Sequence, residues 1–340
     1  MQLGIKSLST KVRALGAISL LTLSLANGAN ATSQPGNGTL IRPIFSSVVE
    51  ERFRGEIAMA GLQELGYQVA EPKETEYATL MLAMAFDEAD FSVHLWDILH
   101  DGFYQKAGGD AKLVKVGEVI PGVLQGYLID KKTADDYDIR SLDDLKKPEI
   151  ARLFDIDGDG KADLSGCNPG WGCEPVINHH IASYGLDKTV SHHRGPYFAL
   201  MADTISRYQA GKPILYFTWV PQWISGVLVP GQDVQWLEVP YSSLPDGNKG
   251  VNTTFEGKNL GFAIDKVMAV MGRDFAAQNP AAKTFLSLVQ LSAGEESAQN
   301  LKVKQGEVSP ADIKRHAQEW ISANRDTFDG WLEQARATIN

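Results

Sequence analysis

Three tryptophans stand in unrelated local contexts, each beside groups suited to holding a small charged ligand. Trp96 opens Trp96-Asp97-Ile98-Leu99-His100, Trp171 lies inside Cys167-Asn168-Pro169-Gly170-Trp171-Gly172-Cys173, and Trp219 ends the apolar run Ile214-Leu215-Tyr216-Phe217-Thr218-Trp219. An indole face attracts a cation that cannot donate hydrogen bonds, and several faces together form an aromatic cage for quaternary ammonium. His100 follows Trp96 by four residues, so a helical segment there would turn both to one side. A histidine N–H, joined by the backbone N–H groups of Gly172 and Cys173, offers donors to a carboxylate at the foot of such a cage.

The remaining tryptophans read differently. Seven occur in all. Trp320 falls with Ile313, Ala317 and Ile321 on one helical face, and Trp331 with Phe328 and Leu332, so periodicity accounts for both as core. Trp236 follows Asp233-Val234-Gln235 in a strand pattern and reads as packing. Trp223 stands close to Trp219, either in the cage wall or just behind it. Trp171 sits between glycines, where no periodic pattern explains a buried indole.

The chain begins with an address label. Lys6, Lys11 and Arg13 precede the uncharged apolar run Ala14 to Ala26, and Ala29-Asn30-Ala31 supplies a small-x-small cleavage pattern. Residues 1–31 are therefore predicted to be a signal peptide. The run is shorter than the roughly 20 apolar residues of a transmembrane helix, and no cysteine follows it to carry a lipid. An exported protein of the periplasm is expected. Removing three positive charges and no negative ones takes the formal charge from −10 to −13. So acidic a chain argues against nucleic acid and against anionic membranes.

Both cysteines lie in one short segment, with five residues between them. In an exported protein they read as a local disulfide, Cys167–Cys173. A CxxC redox motif needs another spacing, and zinc needs more ligands nearby. The closed loop is small, so its entropic stabilisation is modest; its use would be to fix the backbone from Asn168 to Gly172.

Other chemistry is thinner. His179-His180 and His192-His193 are adjacent pairs, and neighbours seldom chelate together. Asp155-Ile156-Asp157-Gly158-Asp159-Gly160-Lys161-Ala162-Asp163 matches the first nine positions of a calcium loop. Position 12, where a bidentate Glu is expected, is Gly166. Such a run is either a weakened calcium site or a solvated acidic turn, and no metal is assigned. There is no Gly-x-Ser-x-Gly, no His-Glu-x-x-His and no phosphate loop. No catalytic residue and no cofactor follow from the sequence.

The elements that must position these groups alternate between strand and helix. Strands are predicted over Leu40 to Phe45, Tyr67 to Ala70, Val123 to Ile129, Pro213 to Phe217 and Leu260 to Ile264. A helix is predicted from Ser47 to Leu65, stopped by Gly66; Ser141-Leu142-Asp143-Asp144 reads as a capping box, and another helix ends at Gly211. Ser309-Pro310-Ala311-Asp312 opens a helical tail. This is the pattern of α/β layers.

Several blocks carry a family likeness. Trp96-x3-His100, Gly126 to Lys132, Asp157 to Asp163, the run Cys167 to Glu174, Met201 to Tyr208 and Thr218-Trp219 together resemble the periplasmic glycine betaine-binding proteins of osmoprotectant ABC transporters. The likeness covers nearly all of the chain after residue 31. It implies a two-lobed type II periplasmic-binding-protein fold, with a ligand cleft between the lobes and two crossings of the chain. Lobe I would comprise 32–123 plus 246–340, and lobe II 124–245. It further implies that Trp96 and His100 come from the first lobe and Trp171, Gly172, Cys173 and Trp219 from the second. The indoles would box a trimethylammonium group, and the carboxylate would meet His100 and the amides after Trp171. The chain departs from the family pattern at Asp97-Ile98 and at Val220-Pro221-Gln222, which bears on the rim.

The function expected is that of a monomeric receptor for glycine betaine, and for proline betaine. It would hand its ligand to an inner-membrane ABC permease driven by an ATPase. An exported enzyme acting on a betaine or choline-like compound is the competing class, and a calcium-stabilised interaction module the third.

Overall fold

The computed structural model describes residues 34–245 and 250–338. The signal peptide assigned to residues 1–31 lies outside them. The central sheet is built from β1 (Phe91–Trp96), β2 (Leu113–Asp130), β3 (Ala162–Ser165), β4 (Val190–His193), β5 (Leu215–Val220), β6 (Val234–Trp236) and β7 (Asp265–Gly272). Its strands run in the order β1-β7-β2-β5-β3-β4, with β6 paired to the far end of β2. The β3–β4 and β3–β5 pairs are parallel, and the pairs made by β2 and β7 are antiparallel.

Strand β2 organises the molecule. Its 18 residues are about three times the usual strand length. From Leu113 to Val123 it pairs with β7, and from Leu124 to Ile129 with β5. Two of the three buried hydrophobic clusters follow that change of partner. One gathers Ile41 to Val123 with Val267 to Ala335; the other gathers mainly Tyr127 to Val239, with Val48, Tyr77 and Phe262. Trp219, on β5, packs against both.

The helices used below are α1 (Arg52–Glu64), α2 (Asp101–Lys106), α3 (Cys173–Ser183), α4 (Tyr197–Gln209), α5 (Ala293–Lys304), α6 (Pro310–Ala323) and α7 (Arg325–Ala337). Helix α6 starts as its sequence predicts. Ser309 Oγ accepts the Asp312 N–H at 3.1 Å, Pro310 occupies the first turn, and Ile313, Ala317 and Ile321 are buried. The Ser141 capping box is also present, heading a 3-10 turn over Leu142–Lys146.

Three expected elements differ. The stretch Leu260 to Ile264 is irregular, and the strand begins at Asp265. Gly261 holds φ +83 there, a left-handed backbone that no strand accommodates, and donates its N–H to the Asn259 side chain at 3.1 Å. The strand expected over Leu40 to Phe45 is divided at Arg42-Pro43 into Leu40–Ile41 and Ile44–Ser46. Proline has no N–H for a ladder. The helix expected from Ser47 opens as a 3-10 turn at Val49–Glu51 and becomes α1 at Arg52.

Candidate functional site

All six residues singled out from the sequence line one cavity: Trp96, His100, Trp171, Gly172, Cys173 and Trp219. Each arrives by a different route. Trp96 is the last residue of β1, Trp219 is on β5, and Trp171 sits in the loop ahead of α3. The Trp171 and Trp219 rings lie 5.9 Å apart at 71°, and Tyr197 of α4 backs Trp219 at 4.6 Å. The cavity is narrow, and a wider cleft beside it shares Leu99, Gln125 and Gly172.

The segment from Trp96 to His100 is a turn. The Asp265 carboxylate accepts the Ile98 N–H at 3.0 Å and the Leu99 N–H at 2.9 Å, amides that have no partner within the turn. The turn still closes, because the His100 N–H reaches the Trp96 carbonyl at 3.0 Å. Trp96 and His100 therefore meet at the same cavity, though by a turn. Burial pushes the Asp265 carboxyl up to about 6, and the amides it accepts act in the opposite sense.

His100 is buried against Tyr77, with ring centroids 4.1 Å apart. Its Nδ1 accepts the Trp96 backbone N–H at 3.3 Å, which assigns the ring proton to Nε2. Burial pushes its pKa down to about 3, with the Glu51 carboxylate opposing and the Arg54 guanidinium reinforcing. At neutral pH the ring is an uncharged N–H donor. Gly172 closes the gap from the other side. A Cβ there would lie 2.8 Å from Leu99 Cγ and 3.1 Å from His100 Cδ2, so only glycine permits this approach. Gly172 and Cys173 head α3, and first-turn amides of a helix have no intrahelical acceptor. Those N–H groups are free to meet an anion.

Cys167 and Cys173 form a disulfide. Inside the loop the Trp171 N–H donates to the Asn168 carbonyl at 3.2 Å, and Asn168 Oδ1 accepts the Tyr197 N–H at 2.7 Å. Gly170, at φ +86, donates its N–H to Glu174 at 2.7 Å. The crosslink and these bonds fix where the Trp171 indole points. The indole N–H donates to Glu76 Oε2 at 3.1 Å, and that of Trp96 to Glu51 Oε1 at 3.4 Å.

Glu51, Tyr77, Gln125, Leu99 and Phe217 also line the cavity and escaped the sequence reading. The one available signal was Glu50-Glu51-Arg52-Phe53-Arg54 at the head of α1, a dense charge cluster beside apolar residues. Trp223 is absent from the cavity lining and packs in the second core under Lys304, whose Nζ lies 4.4 Å from the ring centroid. Among the paired histidines, His180 is buried and bonds to Tyr127 at 2.8 Å, His192 bonds to Asn178, and His193 to Asp163. In the acidic run, oxygens of Asp155, Asp157 and Asp159 lie within 4.8 Å of one another. The same carboxylates accept backbone N–H groups of Gly158, Asp159, Gly160 and Lys161.

Residues 40–323 match the substrate binding domain of ABC-type glycine betaine transport systems. The chain is 49% identical over 319 residues to the glycine betaine-binding periplasmic protein OusX of Dickeya dadantii, covering 93% of this chain and 96% of that one. It is 46% identical over 308 residues to the glycine betaine/proline betaine-binding periplasmic protein of Escherichia coli, covering 90% and 93%. Its fold resembles lactococcal OpuAC, solved closed with glycine betaine, with TM-score 0.66 at 17% identity over 86% of this chain and 99% of that one. An ABC-transporter choline binding protein solved with choline aligns with TM-score 0.68 at 16% identity, over 86% and 92%. The architecture is thus the two-lobed periplasmic-binding fold, and the relatives are receptors, not enzymes. By the family match over most of its length and its identity to these relatives, the chain belongs to the family of substrate-binding domains of ABC-type glycine betaine transport systems.

Proposed function

We propose that this protein is a periplasmic receptor that holds glycine betaine, and proline betaine, between two lobes and delivers it to an inner-membrane ABC permease and its ATPase. The observation that carries the reading is the convergence of Trp96, Trp171 and Trp219 on one cavity that also receives His100 and the head of α3. The indoles take the trimethylammonium group; the His100 Nε2–H and the Gly172 and Cys173 amides take the carboxylate. Each cation–π face contributes about 0.5–2 kcal/mol and each charge-assisted hydrogen bond roughly 1.5–3. After the cost of closing, those terms are compatible with micromolar binding, about −8 kcal/mol.

Lobe I is assigned to 32–123 plus 246–340 and lobe II to 124–245. The exchange of β2's partner between Val123 and Leu124 supports the first boundary. Closure is a hinge motion around the ligand. Residues 1–31 act as the export signal. Equilibrium dialysis of the purified chain with glycine betaine, followed by mass spectrometry of the ligand, tests the function. One equivalent retained and recovered unchanged is the expected result; conversion of the ligand would assign an enzyme, and no retention would reject the reading.

A further inference from the structure

The wall behind Trp96 carries a buried anion. Glu51 is 6% exposed and lines the cavity together with the three indoles. Its Oε1 lies 2.7 Å from Arg54 Nη2 and accepts the Trp96 indole N–H at 3.4 Å. Its Oε2 accepts from Tyr77 OH at 3.1 Å and from Ser46 Oγ. Three hydrogen-bond donors and one guanidinium thus converge on one carboxylate at the back of the cavity.

Arg54 is shared, since its Nη1 lies 2.5 Å from Glu296 Oε1. Glu50 and Glu296 are both buried and flank a small adjoining space behind Trp96 and Trp219, and each has an Oε2 atom with no hydrogen-bond partner. One guanidinium is divided between Glu51 and Glu296, and Glu50 lines the same space. Burial pushes Glu50 and Glu296 up to about 7; at Glu51 burial acts in the same sense, but Arg54, His94 and Ser46 together bring its carboxyl down to about 2. At neutral pH Glu51 is ionised, at the back of the cage.

Resting on the function proposed above, we infer that Glu51 is a specificity-determining residue whose carboxylate is the counter-charge for the ligand's quaternary ammonium. A cation taken out of water loses its hydration, and aromatic faces restore only part of it. A fixed anion in the same low-dielectric wall restores more, and at the N–H edge of Trp96 it also deepens the negative potential over that ring. The site then reads positive charge as well as trimethyl shape. Glu51 does this at a distance through the Trp96 ring, leaving the indoles as the surfaces in contact.

The test compares glycine betaine with 3,3-dimethylbutanoate, the same shape with carbon in place of the charged nitrogen. Wild-type protein should prefer betaine by about a hundredfold or more in calorimetry, and Glu51→Gln should cut that preference at least about tenfold, or 1.4 kcal/mol. Binding of the carbon analogue, which has no ammonium charge to pair with Glu51, should not weaken. Equal weakening of both ligands, or an unchanged preference in folded Glu51→Gln, would make Glu51 a structural residue and overturn the inference. Should Glu51→Gln fail to fold by circular dichroism, Glu51→Asp decides. It keeps the charge but withdraws it from the Trp96 edge by one methylene and should cut the preference several-fold; an unchanged preference rejects the role. Wild-type protein that binds neither compound would instead count against the function itself.

Discussion

Two sets of tryptophans in this molecule answer to different rules. In the helical tail, Trp320 of α6 stacks on Trp331 of α7 with ring centroids 6.0 Å apart, and Trp320 donates its N–H to Glu295 at 2.7 Å. Those rings sit where a helical period puts them, and their faces are spent on each other. Trp96, Trp171 and Trp219 come from a strand end, a crosslinked loop and a strand shared by two cores, and they line open space. Their N–H edges are tied to carboxylates as well, in the cases of Trp96 and Trp171. The tail indoles stack on each other, whereas the other three line a cavity, Trp219 with Tyr197 packed behind it.

The largest expected effect breaks that contrast directly. Replacing Trp96, Trp171 or Trp219 singly with Ala should weaken glycine betaine binding at least about tenfold, or 1.4 kcal/mol, with the fold retained. Trp320→Ala should leave affinity unchanged and lower stability by about 2 kcal/mol, below the figure for a fully buried indole. Titration calorimetry and thermal melts of the four variants separate the two outcomes. Cage variants that bind like wild type would erase the distinction.

The other end of the ligand sharpens it. His100→Ala removes a donor that only a carboxylate uses, so the preference for betaine over choline should narrow several-fold, about 1 kcal/mol. The pH dependence has a definite sign. Because burial holds the folded pKa of His100 near 3, below its ordinary 6.5, the ring stays neutral as pH falls from 8 to 5. The ratio of wild-type to His100→Ala affinity should be flat over that range. For stability the lowered pKa acts the other way round from a salt bridge gained on protonation. Its contribution is complete above about 6.5 and declines as pH falls toward 3, since the unfolded ring binds a proton first. A ratio that climbs below pH 6.5 would mean that His100 titrates normally.

The smallest effect concerns the crosslink. Reducing Cys167–Cys173 should weaken binding by a few-fold and barely move the melting temperature, since the closed loop is short. Binding and melting measured with and without reductant check this; a large loss of stability with binding intact would contradict the view that the loop serves to present Trp171.

Much of the cage was legible because its residues break local patterns. An indole between glycines inside a two-cysteine loop has no packing period to explain it, and a His four residues after a Trp stands out near a strand end. The α/β alternation and the helical tail were equally plain, being set by periodicity and caps that act over a few residues. Glu51 and Tyr77 were not legible. Their importance comes from burial and from partners as distant as Glu296, and a charged residue in an amphipathic segment ordinarily reads as solvated surface. The turn from Trp96 to His100 was not legible for a similar reason. Asp265, more than 160 residues away, holds its amides. The strand expected over Leu260 to Ile264 failed because apolar composition was weighed above the glycine at its second position.

The central claim is that one site recognises both ends of a single ligand, a methylated cation and a carboxylate. A competition titration against glycine betaine with choline and free glycine tests it most directly. Choline keeps the cation and lacks the carboxylate; glycine keeps the carboxylate but brings N–H donors that find no acceptors in an aromatic cage. The account predicts affinity in the order glycine betaine, choline, glycine. Displacement of glycine betaine by glycine at comparable concentration would contradict it.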